Sequence, residues 1–356
     1  MRTYATERVE ELLDEWQELL RFRKIERART LKQKMDDIAF TNPHLIIEYK
    51  LIACQHAALT EDYDQVDKLL DELAADEDFF TNKQRFYYYF FKGRSAYHAK
   101  NDHLAKEYYD KAQQYLNEID SELDQAEFYY KQGQLNYGFR RSFQANHCAS
   151  QALKIFKKYH LDRRVADCYN LLGLSCLDLQ LYEDAETYLH MALDYAKKLN
   201  IQSIRAYAAH NVGLLYSDQN LSTQAITWLN EAVKMGDINY VTAYLLALEY
   251  FKTNDVSKAE KWLYEGLKLC KSANNEVYPM RFELLRALFL DKENFEKVYR
   301  KGIAFFRNRK DWDFVRDYSR ELADFYYSKQ EYEKAADYYR LSFSASDKIK
   351  EMGALH

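Results

Sequence analysis

Apolar residues recur along most of the chain at spacings of three and four residues, which is the pattern of helices that bury one face. In the segment LLGLSCLDLQLYEDAETYLHMAL, residues 171–193, two such apolar stripes flank a polar turn. The chain has only two prolines and nine glycines, too few for the turns of a sheet with many short strands. The pattern therefore predicts an all-α fold.

Glycine and alanine form a regular grid over the middle of the chain. Gly93, Gly133, Gly173 and Gly213 are each separated by 40 residues. Alanines follow these glycines at fixed offsets, at Ala105, Ala145, Ala185, Ala225, Ala112, Ala152, Ala192 and Ala232. Stacked helix hairpins need such small residues where helices cross closely. The grid predicts a superhelical array of about seven tetratricopeptide-type helix pairs over residues 77–356, with a groove suited to an extended peptide.

Residues 1–76 lack this grid and predict a separate three-helix bundle. Val9, Leu12, Leu13, Trp16, Leu19 and Leu20 form the apolar stripe of a first helix. A mostly charged helix covers residues 23–38, and Asn42 and Pro43 begin a third helix as its cap and first residue. The polar segment AADED then links the bundle to the array.

Composition and charge narrow the possible functions. The net charge is −5 with acids and bases intermixed, so the chain lacks the basic field on which nucleic-acid binding depends. The first residues contain no apolar signal segment, and no stretch reaches the roughly 18 apolar residues of a membrane span, so we expect a cytoplasmic protein that does not enter a membrane. The five cysteines are scattered and odd in number, which favours buried thiols over disulfides.

Motifs for cofactor or metal chemistry are missing from the sequence. It has no glycine-rich phosphate loop and no HExxH, and its nine histidines are dispersed. His44 and His56 are both on the third predicted helix, but no third ligand accompanies them. We therefore predict no cofactor and no metal site, with both histidines in structural roles.

One local basic concentration is present, the run RFRKIERARTLKQK. It is either a solvated helix face or a docking surface for an acidic protein partner, where charge would speed association. As partner-docking residues in the N-terminal bundle we predict Trp16, Leu20, Arg23, Arg27, Pro43 and His44.

Three polar residues lie among apolar ones in the predicted first helices of adjacent repeats. They are Asn170, Asp178 and Asn211. These positions are either exposed or capping, or they hold a peptide backbone and its basic side chain through amide and carboxylate groups.

Several stretches resemble the Rap family, the response-regulator aspartate phosphatases of bacilli and their mobile elements. The resemblance covers nearly the whole chain, and its clearest stretches are FYYYFFKGRSAY, AEFYYKQGQLNY, SQALKIFKK, LDLQLYEDA, HNVGLLYSDQN and ADFYYSKQEYEKAADYY. It implies a quorum-sensing regulator, of the kind that acts in sporulation and competence. In such a regulator the N-terminal bundle binds a response regulator, and the groove binds a re-imported Phr pentapeptide that switches the complex off.

The resemblance also implies roles for residues of the groove. Asn211, in the HNVGL motif, is where the family's asparagine holds the peptide backbone, and Asp178 is where an aspartate pairs with the peptide's basic residue. Asn170, Tyr244 and Glu283 complete the predicted peptide-binding set. The expected switch is a population shift in which bound peptide compresses the superhelix and draws the bundle onto the repeats.

The family's catalytic glutamine is absent. It stands before a Leu, Tyr, Leu, His pattern, which reads Leu45, Tyr49, Leu51, His56 here, and its position falls on Pro43. Proline has no side-chain amide and cannot position the attacking water. We therefore predict no catalytic residue and a regulator that binds without hydrolysis.

Three alternatives stay open. One is an active aspartyl-phosphate phosphatase that uses another residue in place of the glutamine. The others are a peptide-responsive transcription regulator and a generic repeat scaffold. The link AFTNPH disfavours the transcription regulator, because it lacks the tight glycine-containing turn of a helix-turn-helix motif.

Overall fold

The computed structural model describes residues 6–36, 38, 40, 42–236 and 238–354, and within these residues the regular structure is helical, with no β-strand. The all-α prediction is confirmed. The chain divides into two compact units. The first unit comprises residues 1–138 and 142–171, and the second unit comprises residues 139–141 and 172–356.

The α-helices follow one another with short turns. The first unit contains α1 (Thr6–Arg21), α2 (Ile25–Asp36), α3 (Pro43–Leu59), α4 (Tyr63–Leu73), α5 (Asn82–His98), α6 (Asp102–Gln113), α7 (Glu122–Gly138), α8 (Ser142–Lys158) and the start of α9 (Asp162–Asp178). The second unit contains the end of α9 and then α10 (Tyr182–Leu199), α11 (Gln202–Asp218), α12 (Ser222–Lys234), α13 (Tyr240–Lys252), α14 (Val256–Ser272), α15 (Val277–Phe289), α16 (Phe295–Arg309), α17 (Trp312–Ser328) and α18 (Tyr332–Ala354). Helices α5 to α18 form the seven successive pairs that the grid predicted.

The glycines of the grid lie where the two helices of a pair touch. A Cβ on Gly173 of α9 would lie 2.5 Å from Cγ of Leu189 on α10. A Cβ on Gly213 of α11 would lie 2.7 Å from Cγ of Leu229 on α12. Real side chains do not approach so closely, so any larger residue would push the paired helices apart.

The turn inside each pair also repeats. Lys100, Arg140, Gln180 and Asn220 all have left-handed backbone, with φ between 58° and 61°. In three of these turns the following residue donates its backbone N–H back into the helix, from Asn101 to the Ala96 carbonyl, from Leu181 to the Cys176 carbonyl and from Leu221 to the Tyr216 carbonyl. This is a Schellman-type helix end, and non-glycine residues occupy its left-handed position in all four pairs.

The core of the N-terminal helices contains two residues that the sequence had placed on a docking surface. Trp16 is 0% exposed and Leu20 is 1% exposed, because the apolar stripe of α1 packs against α3. Trp16 also donates its indole N–H to Nδ1 of His56 over 3.2 Å. These two residues are therefore core residues rather than docking residues, and His56 has the structural role that we expected.

A fourth helix, α4, lies within residues 1–76 and was not among the three that the sequence predicted. Its buried face consists of Val66, Leu69, Leu70 and Leu73. It forms a hairpin with α3, and both helices pack on α5. Because this packing continues into the repeats, residue 76 is not a boundary between compact units in this structure.

Cysteine state, metal-ligating groups and helix hydrophobicity can each be compared with the sequence predictions. All five cysteines are buried and free, as predicted. The described residues contain no group of three or more metal-ligating side chains. In the same part of the chain, no helix has the length and apolar character needed to cross a membrane.

Candidate functional site

Asp178, the residue predicted to hold a ligand's basic side chain, contacts an arginine of its own unit. It is the last residue of α9, and its side chain is 22% exposed. Arg140 donates Nη1 to both of its carboxylate oxygens, over 3.2 and 3.3 Å. The Nε of Arg140 also lies 3.3 Å from Oδ2 of Asp313, at the start of α17. One half-exposed guanidinium thus joins two carboxylates that are distant in sequence.

A second cationic group of this unit lies among aromatic rings. The guanidinium of Arg281 on α15 is 4.0 Å from the ring centre of Tyr244, 4.7 Å from Tyr278 and 4.7 Å from Phe314. Its Nε donates to the Tyr318 hydroxyl over 3.4 Å. Burial alone would lower the pKa of Arg281, but the surrounding tyrosines outweigh burial and raise it. Tyr244 is therefore a packing partner of an arginine between α13, α15 and α17.

Glu283 faces a different direction from Arg281. Its carboxylate accepts from Lys301 of α16, the second helix of its pair, over 2.8 Å. Residues two apart on a helix point in nearly opposite directions, since each residue advances by about 100°. Arg281 faces the neighbouring first helices α13 and α17, so Glu283 does not belong to their surface. We correct its assignment to the peptide-binding set for this structure.

The two asparagines of the predicted set are buried. Asn211 in α11 is 2% exposed, and Asn170 in α9 is 4% exposed. Both lie in the interior of their helices, which excludes the exposed or capping positions that were the alternative for them. Asn170 belongs to the first unit, whereas Asn211, Asp178 and Tyr244 belong to the second. Peptide binding by these residues stays a prediction.

Within the first unit, an ion pair fastens the end of α1 to α7. Asp124 is 5% exposed and accepts from Nε and Nη2 of Arg21 over 2.8 and 2.7 Å. It also accepts from the Tyr87 hydroxyl over 2.7 Å. Burial alone would lower the pKa of Arg21, but Asp124 outweighs burial and raises it. The pair is thus charged and largely withdrawn from water.

A second ion pair lies one helical turn further along α7. Glu127 accepts from Arg23 over 3.1 Å and from Arg164 of α9 over 2.9 Å. Burial alone would raise the pKa of Glu127, but Arg164 and Arg23 outweigh burial and lower it. Arg23 is nevertheless exposed, so its assignment to the partner-docking surface stays a prediction.

Lys131 extends this group of charges along α7. Its ammonium donates to Oε1 of Gln134 over 2.9 Å. Burial, followed by the nearby charge of Arg94, lowers the pKa of Lys131 to about 7. The other charged groups that influence it are Glu127, Arg164 and Arg23.

Besides Arg23, three of the predicted docking residues are exposed. Arg27 lies on the outer face of α2, and Pro43 and His44 begin α3. The Asn42 side chain accepts from the His44 backbone N–H over 2.9 Å, so the predicted cap and first residue of α3 are confirmed. Two other basic residues of α2 pair within the helix, Arg29 with Glu26 and Lys32 with Asp36.

Sequence reasoning missed Arg140, Asp313 and Arg281. Arg140 lies in the repeated turn between helices of a pair, where a charged residue is ordinary, and its partners are 38 and 173 residues away. Arg281 lies in an aromatic-rich helix, and the run of tyrosines and phenylalanines from residue 278 onward was its only available signal.

The repeated helix pairs define the class of the protein as an α-helical repeat protein of the tetratricopeptide type. No protein-family model matches the chain. It is 24% identical over 344 residues to the regulatory protein RapD of Bacillus subtilis (strain 168), covering 94% of this chain and 97% of RapD. It is 23% identical to the response regulator aspartate phosphatase I of the same organism, covering 95% of this chain and 90% of that relative.

Solved structures show the same likeness in fold. A Rap protein crystallised with the competence and sporulation factor superposes with a TM-score of 0.82, at 24% identity, covering 98% of this chain and all of the other. Taken with the relatives in sequence, this confirms the resemblance to the Rap family over nearly the whole chain.

Proposed function

We propose that this protein is a cytoplasmic, Rap-type regulator that binds a response regulator through its N-terminal helices and is controlled by a short peptide held in the second unit. The observation that carries the proposal is the full-length likeness to Rap regulators, which includes both the N-terminal helices and all seven helix pairs. One relative is named for its action on response regulators, and a similar solved structure, that of NprR, contains its cognate peptide NprX.

The proposed docking surface consists of Arg23, Arg27, Pro43 and His44. These four residues are exposed, whereas Trp16 and Leu20 are buried inside the first unit. Arg27 supplies a positive charge that would speed association with an acidic partner. Pro43 and His44 supply exposed ring surface at the start of α3, next to the Asn42 cap.

The proposed peptide contacts within the second unit are Asp178, Asn211 and Tyr244. A carboxylate suits a basic side chain, and a buried amide offers both a donor and an acceptor to a peptide backbone. Asp178 supports this assignment most directly, because it already binds a guanidinium group, that of Arg140.

Binding without hydrolysis is the second part of the proposal. A phosphatase of this kind must hold a water in line with the aspartyl phosphate, and the start of α3 presents Pro43 where an amide would be needed. The alternative, an active phosphatase, is favoured by the names of relatives such as response regulator aspartate phosphatase I.

The test is incubation with a panel of phosphorylated response regulators, with complex formation and phosphate loss followed together. We expect one regulator to bind without faster phosphate loss. We expect Pro43→Gln to speed phosphate loss from the bound regulator about tenfold or more, because its side-chain amide would orient the attacking water, and Pro43→Ala to leave it slow. Rapid loss with the unchanged protein would establish the phosphatase instead. If no regulator in the panel binds, the docking proposal fails.

A further inference from the structure

The carboxylate assigned to a ligand's basic side chain is not open in this structure. Arg140 binds both oxygens of Asp178 and reaches Asp313 with its Nε. We propose that Arg140 is an internal competitor: it holds Asp178 until the basic side chain of a peptide displaces it, and so sets the selectivity of the site for cationic peptides. The inference rests on the proposed peptide binding, which it deepens.

The geometry makes the exchange inexpensive. Arg140 lies in a turn with left-handed backbone, so its side chain can move without breaking a helix. Half of the side chain is exposed, and ion pairs of that kind contribute little to stability. Asp313 can keep the guanidinium after Asp178 is released, so Arg140 does not lose its only carboxylate partner. A second arginine, Arg316, lies 3.5 Å from Oδ1 of Asp313 and helps to balance it.

Selectivity follows from what happens to Asp178. Its side chain is only 22% exposed, so separating it from a cation costs more than separating a fully exposed carboxylate. A peptide with Arg or Lys replaces one ion pair by another. A neutral peptide side chain has nothing to offer in exchange and leaves Arg140 in place. Arg140 therefore lowers the advantage that a cationic side chain would have over a neutral one of the same shape at Asp178.

The experiment compares two matched sets of pentapeptide pools. In one set Arg is fixed at each of the five positions in turn, with the other positions randomised. In the other set citrulline, a neutral residue of the same shape, replaces Arg. Retained peptide is measured by affinity selection and mass spectrometry on the full chain, and the readout is the ratio of Arg to citrulline peptides bound.

Arg140→Gln should raise this ratio about two- to fivefold, the range that partly exposed ion pairs are worth. Gln180 has the same backbone conformation in the equivalent turn of the next pair, so glutamine is accommodated there. Arg140→Lys, which keeps the charge, should leave the ratio near its original value. Asp178→Asn should bring it close to one.

Arg309→Gln is the matched control. Arg309 is 39% exposed and also contacts two carboxylates of the second unit, those of Asp311 and Glu276. This variant should not change the ratio. A ratio that Arg140→Gln leaves unchanged or lowers would overturn the inference while peptide binding itself stands. If neither the unchanged protein nor any variant retains a pool, peptide binding is refuted and the inference falls with it.

Discussion

The ion pair between Arg21 and Asp124 should be one of the main interactions that hold α1 against the repeats. Asp124 is 5% exposed, and its carboxylate accepts from both Arg21 and the Tyr87 hydroxyl. Replacing Asp124 with Asn keeps the shape but removes the buried negative charge, so Arg21 keeps only the exposed carboxylate of Glu18, 3.4 Å from its Nη1. Breaking a buried pair in this way costs about 3–5 kcal/mol, and the 16% exposure of the Arg21 side chain reduces that to about 2–3 kcal/mol.

The assay needs a probe that reports on α1 alone. The chain has four tryptophans, and Trp16 is fully buried in α1, whereas Trp228, Trp262 and Trp312 lie in the second unit. Replacing these three with Phe leaves Trp16 as the single fluorescent reporter of the first unit. Urea titrations of this background and of its Asp124→Asn derivative then give the free energy of releasing α1.

A double-mutant cycle separates pairing from other effects. Arg21→Met alone and Asp124→Asn alone should each lower the free energy of unfolding. The decrease in the double variant should be smaller than the sum of the two single decreases by at least about 1.5 kcal/mol. Arg8→Met is the control, because Arg8 and Glu11 form an exposed ion pair on the same helix, worth less than about 1 kcal/mol. A coupling below about 0.5 kcal/mol between Arg21 and Asp124 would refute the reasoning.

Two further predictions concern the repeats and the charges of α7. Gly213→Ala should cost about 1–3 kcal/mol in urea unfolding, because its Cβ would lie 2.7 Å from Cγ of Leu229, whereas Gly138→Ala, whose Cβ would meet nothing nearer than 4.0 Å, should be neutral or slightly stabilising. A cost for Gly138→Ala as large as that for Gly213→Ala would contradict this explanation. The pKa of Lys131, about 7, is lower than in an unfolded chain, so above pH 7 the unfolded state binds more protons and stability rises with pH. Lys131→Met should reduce the increase in the free energy of unfolding between pH 7 and pH 9 by about 1–2 kcal/mol. Lys92→Met should not change this increase, because the pKa of Lys92 is raised and the group stays protonated over that range. If the free energy of unfolding increased equally in both variants, the assignment to Lys131 would be contradicted.

The sequence predicted the helical repeats well because their signal is local and periodic. A glycine every 40 residues and alanines at fixed offsets are visible without knowing any contact. The structure then supplied the reason, since Gly173 and Gly213 lie where a leucine of the paired helix leaves no room for a Cβ. Asn42 and Pro43 at the start of α3 were equally readable, because a cap and a first-turn proline act within a few residues.

The candidate site was predicted only in part. Asp178 could be singled out as a carboxylate suited to a cation, but the sequence did not reveal that Arg140 and Asp313 join it. Glu283 has a carboxylate suited to a basic ligand, but its side chain lies on the side of α15 that faces α16. Amphipathic patterning could not tell that Trp16 and Leu20 would be buried against α3 rather than offered to a partner.

By itself, the sequence determined most of the helices and the repeat, because periodicity and caps are properties of neighbouring residues. Only the tertiary structure decided which charges meet. Arg21 and Asp124 are separated by 103 residues, and Arg140 and Asp313 by 173. The sequence around a charged residue does not reveal whether its side chain faces water or an opposite charge. Only helix packing brings the partner within about 3 Å. Local sequence patterns therefore predict the helices of this protein, while the packing of those helices determines its ion pairs.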